Sequence, residues 1–206
     1  MKLRSEVRLF SYHGAPVLAH WSLLLPFPIA WVSEKDFLGA IVAQAAFFVL
    51  MLAHELGHAF VAHRLRLPVF SVRLYLVHGQ CHYGAPRREA ADVAVAWGGV
   101  AAQAMLFVLA LLLAKSMSLA GGIPRALAPA FDVWIPINML VAFCNLLPIA
   151  TLDGSKAWRF IPMGFSAAIG RFKSRKRRRR PERVGSQSTG RVVSMELHRI
   201  GKRDTN

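Results

Sequence analysis

FLGAIVAQAAFFVLMLAHELGHAFVAH, residues 37–63, is the stretch that decides the fold class. It carries no Asp, Glu, Lys or Arg over residues 37–53, and a helix of this length exceeds the roughly 20 residues needed to cross a bilayer. Its last third then carries ionisable side chains, namely His54, Glu55, His58 and His63. Such groups at membrane depth are costly and usually functional, so the stretch predicts a membrane helix that holds a functional site.

The rest of the chain has the composition of a polytopic membrane protein. Hydrophobic residues make up 54% of the 206 residues, and the mean hydropathy is +0.37, which is too apolar for an ordinary soluble domain. The predicted transmembrane helices are residues 14–33, 37–63, 93–114 and 132–152. We therefore predict an all-α polytopic membrane protein with about four spans, a re-entrant loop or β-hairpin on the cytoplasmic side and a disordered basic C-terminal tail.

The first of these spans has a second interpretation, a cleaved signal peptide. A signal peptide has a short apolar core that precedes a small-residue cleavage site. Residues 14–33 are longer than such a core, contain Pro26 and Pro28, and end in Trp31-Val32-Ser33. We therefore interpret them as a retained span.

The distribution of basic residues predicts the orientation in the membrane. If residues 1–13 are cytoplasmic, 23 of the 26 Lys and Arg lie on the cytoplasmic side. Cytoplasmic loops of membrane proteins carry an excess of Lys and Arg, so we predict both termini in the cytoplasm of a cell whose inner membrane holds the chain. The connecting segments are then a cytoplasmic or membrane-associated loop at 64–92, an external loop at 115–131, a cytoplasmic interfacial segment at 153–170 and a tail at 171–206.

HELGH, residues 54–58, matches the H-E-x-x-H metal-binding pattern. Residues i and i+4 lie within about 40° of each other on a helix, so His54 and His58 can bind one metal ion through both imidazoles. A catalytic zinc takes three protein ligands and keeps a position for a water whose proton a carboxylate can accept. The pattern predicts two zinc ligands and a general base, Glu55. The alternative is a set of core histidines and a buried glutamate that hydrogen-bond to neighbouring helices.

The third ligand is absent from the positions where soluble zinc proteases of the metzincin type carry it. That extension requires a Gly three residues and a His six residues after the second histidine, and these positions hold Val61 and Arg64. His63 lies about 140° around the helix from His58, which favours an interfacial residue over a ligand.

Asp153 has the best context among the remaining candidates. The second and fourth predicted spans end in the same leaflet, and Asp153 lies at the inner end of the fourth. Pro148 disrupts that helix and Gly154 permits a turn that can aim the carboxylate inward. The alternative is a carboxylate that merely ends the span at the interface. Other candidates on the same side are Glu89, Asp92, His78 and His82.

HELGH at 54–58 and NLLPIATLDG at 145–154 together resemble the site-2 protease family of intramembrane zinc metalloproteases. The resemblance covers most of residues 14–160 and includes HWS at 20–22 and AWGG at 96–99. The pair of motifs is far more specific than either motif alone.

The resemblance implies a site. It implies that His54, His58 and Asp153 bind one zinc ion per chain and that Glu55 is the general base. It also implies that Asn145 lies beside the site and helps to hold the substrate carbonyl. The alternative for Asn145 is a hydrogen bond between helices, which polar residues in membrane proteins commonly make.

The third span departs from the family pattern. Such proteins often carry Gly-Pro followed by Asn there, whereas this chain has Gly99, Val100 and then Gln103. We therefore do not predict for this chain the helix-packing contact that is associated with the family pattern.

The loop at 64–92 has two interpretations. Residues 69–75 alternate in a partly β-like way, and by resemblance the loop could form a membrane-associated hairpin whose edge pairs with an extended substrate strand. His78, Cys81 and His82 could instead form a second metal site, but no fourth ligand is evident. We favour the hairpin.

The C-terminal tail, residues 171–206, contains 13 Lys and Arg. Such a basic block repels itself, so we predict disorder and attraction to anionic lipid, worth about 1 kcal/mol per basic residue near the surface. The run lacks the interleaved aromatic residues that bind nucleic acid, so a nucleic-acid partner is not favoured.

These observations predict an intramembrane zinc metalloendopeptidase that cleaves membrane-spanning segments of other proteins. A catalytically silent zinc-binding scaffold, or a protein that only binds client helices, is the alternative, although a scaffold has no use for Glu55. A metal transporter would need polar groups along a route through several spans, and the outer halves of the spans are almost wholly apolar.

Overall fold

The structure, a computed structural model, describes residues 5–76 and 79–160. The described chain is mostly helical and contains a four-stranded sheet. The predicted class is correct for the helices and underestimates the sheet, for which the sequence indicated a single hairpin at most. The predicted tail at 171–206 lies outside the described residues.

The sheet is formed by the two segments that precede and follow the first long helix in the sequence. Its strands are β1 (Glu6–Tyr12), β2 (Ala15–His20), β3 (Val69–Leu74) and β4 (Gln80–Tyr83), in that spatial order. The β1–β2 and β3–β4 pairs are antiparallel, and β2 pairs with β3 in parallel. The strand expected near residues 69–75 is therefore present, whereas β1 and β2 were not predicted.

The predicted first span over residues 14–33 is wrong as a single helix. Its first part is β2, which is followed by a 3₁₀ turn (Trp21–Leu24) and the nine-residue helix α1 (Pro26–Glu34). Nine residues rise about 14 Å, less than half of a hydrocarbon layer of roughly 30 Å. Hydropathy missed the strand because its pairing with β3 joins residues more than 50 positions apart.

Three described helices are long and apolar enough to cross a membrane. They are α2 (Phe37–Arg64), α3 (Glu89–Leu119) and a third span, Ala128–Asn145, made of α4 (Ala128–Asp132), a π-helical turn (Val133–Ile137) and α5 (Asn138–Asn145). Pro136 lies inside the π-helical turn, where its missing N–H breaks the regular ladder. The predicted count of four crossings and the orientation of the termini remain predictions.

Helix α1 runs antiparallel beside the beginning of α2. The Trp31 ring packs edge-on against Phe37 with ring centroids 5.8 Å apart, and the Gln44 side-chain amide donates to the Leu23 carbonyl at 2.8 Å. Much of the outer surface of these helices is apolar, as at Ile29, which suits contact with lipid.

Helices α2 and α3 approach closely at a pair of glycines. A Cβ atom built on Gly57 would collide with the backbone carbonyl of Gly98, and one built on Gly98 would lie 2.6 Å from the carbonyl oxygen of Gly57. Small residues at such a crossing allow membrane helices to pack backbone to backbone. This crossing brings α3 against the half of α2 that carries HELGH.

The sheet covers the same half of α2. Val17, Val72 and Leu74 are fully buried and pack in one cluster with Met51 and Ala59 of α2. The functional residues of α2 are therefore enclosed by α3 on one side and by the sheet on another.

Candidate metal centre

The two histidines and the glutamate of HELGH are buried on α2. His54, Glu55 and His58 are 3%, 2% and 5% exposed. The Nε2 atoms of His54 and His58 lie 3.1 Å apart, as their one-turn spacing predicts.

Asp153 reaches these histidines from the segment after the third span. Its Oδ2 atom lies 3.0 Å from Nε2 of His54 and 3.1 Å from Nε2 of His58. The helix ends at Asn145, before Pro148, so the predicted span over residues 132–152 extends seven residues too far, although the disruption expected at Pro148 is consistent with this end. Gly154 is needed here because a Cβ atom would collide with the carbonyl oxygens of Leu146 and Leu147.

The three donor atoms suit a zinc ion. His54, His58 and Asp153 form the one group of at least three His, Cys, Asp or Glu side chains with converging ligand atoms within residues 5–76 and 79–160. Two donors at about 2.0 Å from a tetrahedral ion lie about 3.3 Å apart, close to the distances of 3.0–3.1 Å observed here. Two imidazoles and one carboxylate are a donor set of catalytic zinc sites.

Hydrogen bonding keeps the Asp153 carboxylate ionised. Burial alone raises the pKa of Asp153, but hydrogen bonds from His54 and His58 outweigh it and hold the pKa of this carboxyl below its usual range. The carboxylate is therefore in the form that binds a cation.

Glu55 lies next to the converging donors. Its Oε1 atom is 4.0 Å from Nε2 of His54, and its carboxyl group lies against Gly79, at the beginning of β4. These residues line a cleft of about 350 Å³ together with Cys81 and Tyr83 of β4. The cleft has room for a substrate backbone beside the carboxylate.

Each histidine also has an acceptor for its other ring nitrogen. Nδ1 of His54 lies 2.9 Å from Oε1 of Gln103, and Nδ1 of His58 lies 2.7 Å from the Val95 carbonyl oxygen. Such partners fix the ring orientation and tautomer of a metal-binding histidine. In the sequence Gln103 is a departure from the family pattern, and its polar side chain in an apolar span is the available signal. Nothing in the sequence indicates that the Val95 carbonyl contacts His58.

Asn145 lies beside the site, where the resemblance placed it. Its side-chain nitrogen is 3.4 Å from Nε2 of His54, and the residue is 7% exposed. This position is compatible with both interpretations, and the role of Asn145 toward a substrate remains a prediction.

The other candidate ligands do not join the group. Glu89 is exposed at the beginning of α3, and Asp92 accepts a hydrogen bond from the Tyr83 hydroxyl at 2.6 Å. His82 is exposed and contacts Ser71. His63 is exposed and stacks on His13 with ring centroids 3.9 Å apart, in agreement with an interfacial residue.

The second metal site has no support in the described residues. Cys81 and His82 are adjacent on β4, so their side chains point to opposite faces of the sheet. Cys81 packs toward α2, and burial together with the nearby charges of Glu55 and Asp153 raises its thiol pKa to about 12. His78 lies outside the described residues.

Polar contacts fasten the Asp153 segment to α3 and β4. The Lys156 amine donates to the Tyr83 hydroxyl at 3.3 Å and lies 3.7 Å from the Asp92 carboxylate, and the Trp97 indole donates to the Ala157 carbonyl at 3.2 Å. Burial and the hydrogen bond to Asp92 raise the pKa of Tyr83, so its hydroxyl stays protonated. The third donor is thus fixed by side chains from two other elements.

Known proteins are similar to this chain in sequence or in fold. No protein-family model matches the chain. The chain is 28% identical to the provisionally named zinc metalloprotease Rip3 of Mycobacterium tuberculosis, in the Erdman and H37Rv strains, over an alignment that covers 97% of this chain and 52% of the relative. The chain thus spans about half the length of this relative.

A solved structure gives the second comparison. The site-2 protease from Methanocaldococcus jannaschii matches with a TM-score of 0.55 and 19% identity, over 76% of this chain and 71% of that one. At this identity the match shows a shared fold.

Proposed function

We propose that this chain, whose sequence and fold matches support its assignment to the site-2 protease family, is a zinc metalloprotease that cleaves membrane-spanning segments of other proteins. The observation that carries the proposal is the convergence of Nε2 of His54, Nε2 of His58 and Oδ2 of Asp153 beside the buried Glu55. Structural zinc sites have four protein ligands, whereas this group has three and opens to a cleft.

The residues divide the chemistry among them. His54, His58 and Asp153 would hold the zinc ion. When bound, zinc supplies a Lewis acid that activates water and polarises the scissile carbonyl. Glu55 would accept the proton of the attacking water and return it to the leaving nitrogen. Asn145 would hold the substrate carbonyl from the side of the third span.

The position of the site indicates which conformation a substrate segment needs for cleavage. A transmembrane helix hides its carbonyls in its own hydrogen bonds, so cleavage requires that the substrate unwind locally. The edge strand β4 lines the cleft, and an extended substrate segment could pair with it. The site lies between the C-terminal half of α2 and the sheet, which suits a segment that is partly drawn out of its helix. Binding of anionic lipid by residues 171–206 remains a prediction.

Glu55→Gln tests the proposal directly. The purified chain and a single-span substrate are placed in proteoliposomes, and cleavage and bound zinc are measured on the same samples. We expect about one zinc per chain in both proteins and a loss of cleavage of about a hundredfold or more, because the amide cannot accept the proton. Glu89→Gln, at an exposed position on α3, is the control and retains full cleavage.

Two outcomes contradict the proposal. Unchanged cleavage by Glu55→Gln excludes Glu55 as the base. A wild-type chain that binds zinc and the client helix without cleaving it is instead a scaffold.

A further inference from the structure

Gln103 is a buried polar residue in an otherwise apolar span. It lies on α3, is 1% exposed, and its nearest polar neighbour on α2 is His54, with 2.9 Å between Oε1 and Nδ1. A buried amide in a membrane helix costs free energy unless it is hydrogen-bonded, so its position calls for a specific partner.

The chemistry of a zinc-binding histidine sets the direction of this hydrogen bond. Nε2 of His54 faces Asp153 and His58, so it is the nitrogen directed at the metal. The neutral imidazole then carries its proton on Nδ1, which donates to Oε1 of Gln103. His58 donates in the same way to the Val95 carbonyl. Of these two acceptors, only Gln103 is a side chain.

A second buried amide supports Gln103 from the third span. Asn138 is 1% exposed, and its side-chain nitrogen donates to the backbone carbonyl of Gln103 at 2.9 Å and to that of Trp134 at 3.2 Å. The bonds from Asn138 to Gln103 and from Gln103 to His54 connect all three spans. The backbone position of Gln103 is therefore held by a second helix.

We propose that Gln103 is a positioning residue: it fixes the tautomer and ring orientation of His54 so that Nε2 is presented to zinc, and Asn138 holds Gln103 in place. This role rests on the proposed function in that it requires zinc at the site. Outer partners of metal-binding histidines typically contribute tenfold to a hundredfold to metal affinity.

Gln103→Leu removes the acceptor and keeps the approximate size of the side chain. Zinc affinity of the purified full chain is measured by competition with a chelator, and the visible absorption spectrum is recorded after loading with Co²⁺. We expect about tenfold to a hundredfold weaker zinc binding and a changed Co²⁺ spectrum. Gln103→Glu retains an acceptor oxygen and should bind zinc at least as tightly as the wild type.

Gln44→Leu is the matched control. Gln44 is also a partly buried glutamine in a span, with a hydrogen bond of 2.8 Å to the Leu23 carbonyl, but it lies about 15 Å along α2 from His54. Its loss should alter stability alone and leave zinc affinity and the Co²⁺ spectrum unchanged. The comparison therefore separates positioning from a purely structural role.

Wild-type zinc affinity and an unchanged Co²⁺ spectrum in Gln103→Leu would overturn the positioning role. If Gln103→Leu does not fold, Gln103→Asn replaces it: the shorter amide should bind zinc more weakly than Gln103→Glu, and equal affinities would overturn the role. A chain that binds zinc but cleaves nothing would contradict the protease proposal, while the zinc affinities of the Gln103 variants would still test the positioning role. A wild-type chain without zinc affinity would overturn both.

Discussion

The two halves of α2 differ in which parts of the sequence supply their contacts. In the N-terminal half, residues 37–50, Phe37 and Ile41 are 56% and 43% exposed, and Gln44 bonds to a carbonyl only 21 residues away. In the C-terminal half, residues 51–64, the partners of the functional side chains lie between 37 and 99 residues away in the sequence. The N-terminal half contacts α1 and, through the hydrogen bond from the Trp134 indole to the Ala46 carbonyl, the third span, whereas the functional side chains of the C-terminal half need three distant segments in register.

Substitution of Asp153 should have the largest effect on the C-terminal half of α2, because it removes the partner that lies farthest away in the sequence. Asp153→Ala leaves two histidines, which are too few for a stable catalytic zinc site. We expect bound zinc to fall from about one per chain to nearly none, as measured by metal analysis of the purified protein. Asp132→Ala is the control and should keep its zinc, because Asp132 is exposed at the end of α4. Full zinc occupancy in Asp153→Ala would indicate another third ligand.

Reactivity of Cys81 tests whether the sheet encloses the C-terminal half. A thiol pKa of about 12 leaves Cys81 almost wholly protonated near neutral pH. In a Cys144→Ser background freed of metal with a chelator, alkylation by iodoacetamide at pH 8 should be about a thousandfold slower than for an ordinary thiol, because only the thiolate reacts. The rate should rise steeply up to about pH 12. An ordinary rate at pH 8 would mean that β4 does not pack its Cys81 side chain against α2.

A matched pair of Gly-to-Ala variants compares the two halves within one helix. Gly57→Ala places a methyl group against the Gly98 carbonyl and should lower the free energy of unfolding by about 3 kcal/mol. Gly39→Ala places it 3.2 Å from Cβ of Glu34, and we expect a change within about 1 kcal/mol because alanine also favours the helix. Unfolding of both proteins in mixed micelles measures the difference. Equal losses would mean that α2 and α3 do not depend on close contact at Gly57.

The sequence predicted the parts of the fold that depend on local patterns. The bounds of α2 were predicted to within one residue, and the pair of motifs placed His54 and Asp153 in one site, where the structure brings them together. The predicted span at 14–33 failed because a short apolar stretch fits a helix or a strand equally well until its pairing partner is known. Gln103 stood out as a polar residue in an apolar span, but nothing local in the sequence shows that it faces His54.

The amino-acid sequence alone determined that this chain is a membrane protein, that α2 carries a metal-binding pattern, and that Glu55 stands beside it. These properties follow from hydropathy and from the helical repeat, which act over a few residues. Tertiary structure alone decided that Ala15–His20 joins a sheet and that Gly57 contacts Gly98. It also decided that Gln103 and the Val95 carbonyl lie within hydrogen-bond distance of the Nδ1 atoms of the two histidines. These contacts depend on the distances between segments far apart in the chain, and only packing of the spans and the sheet fixes those distances.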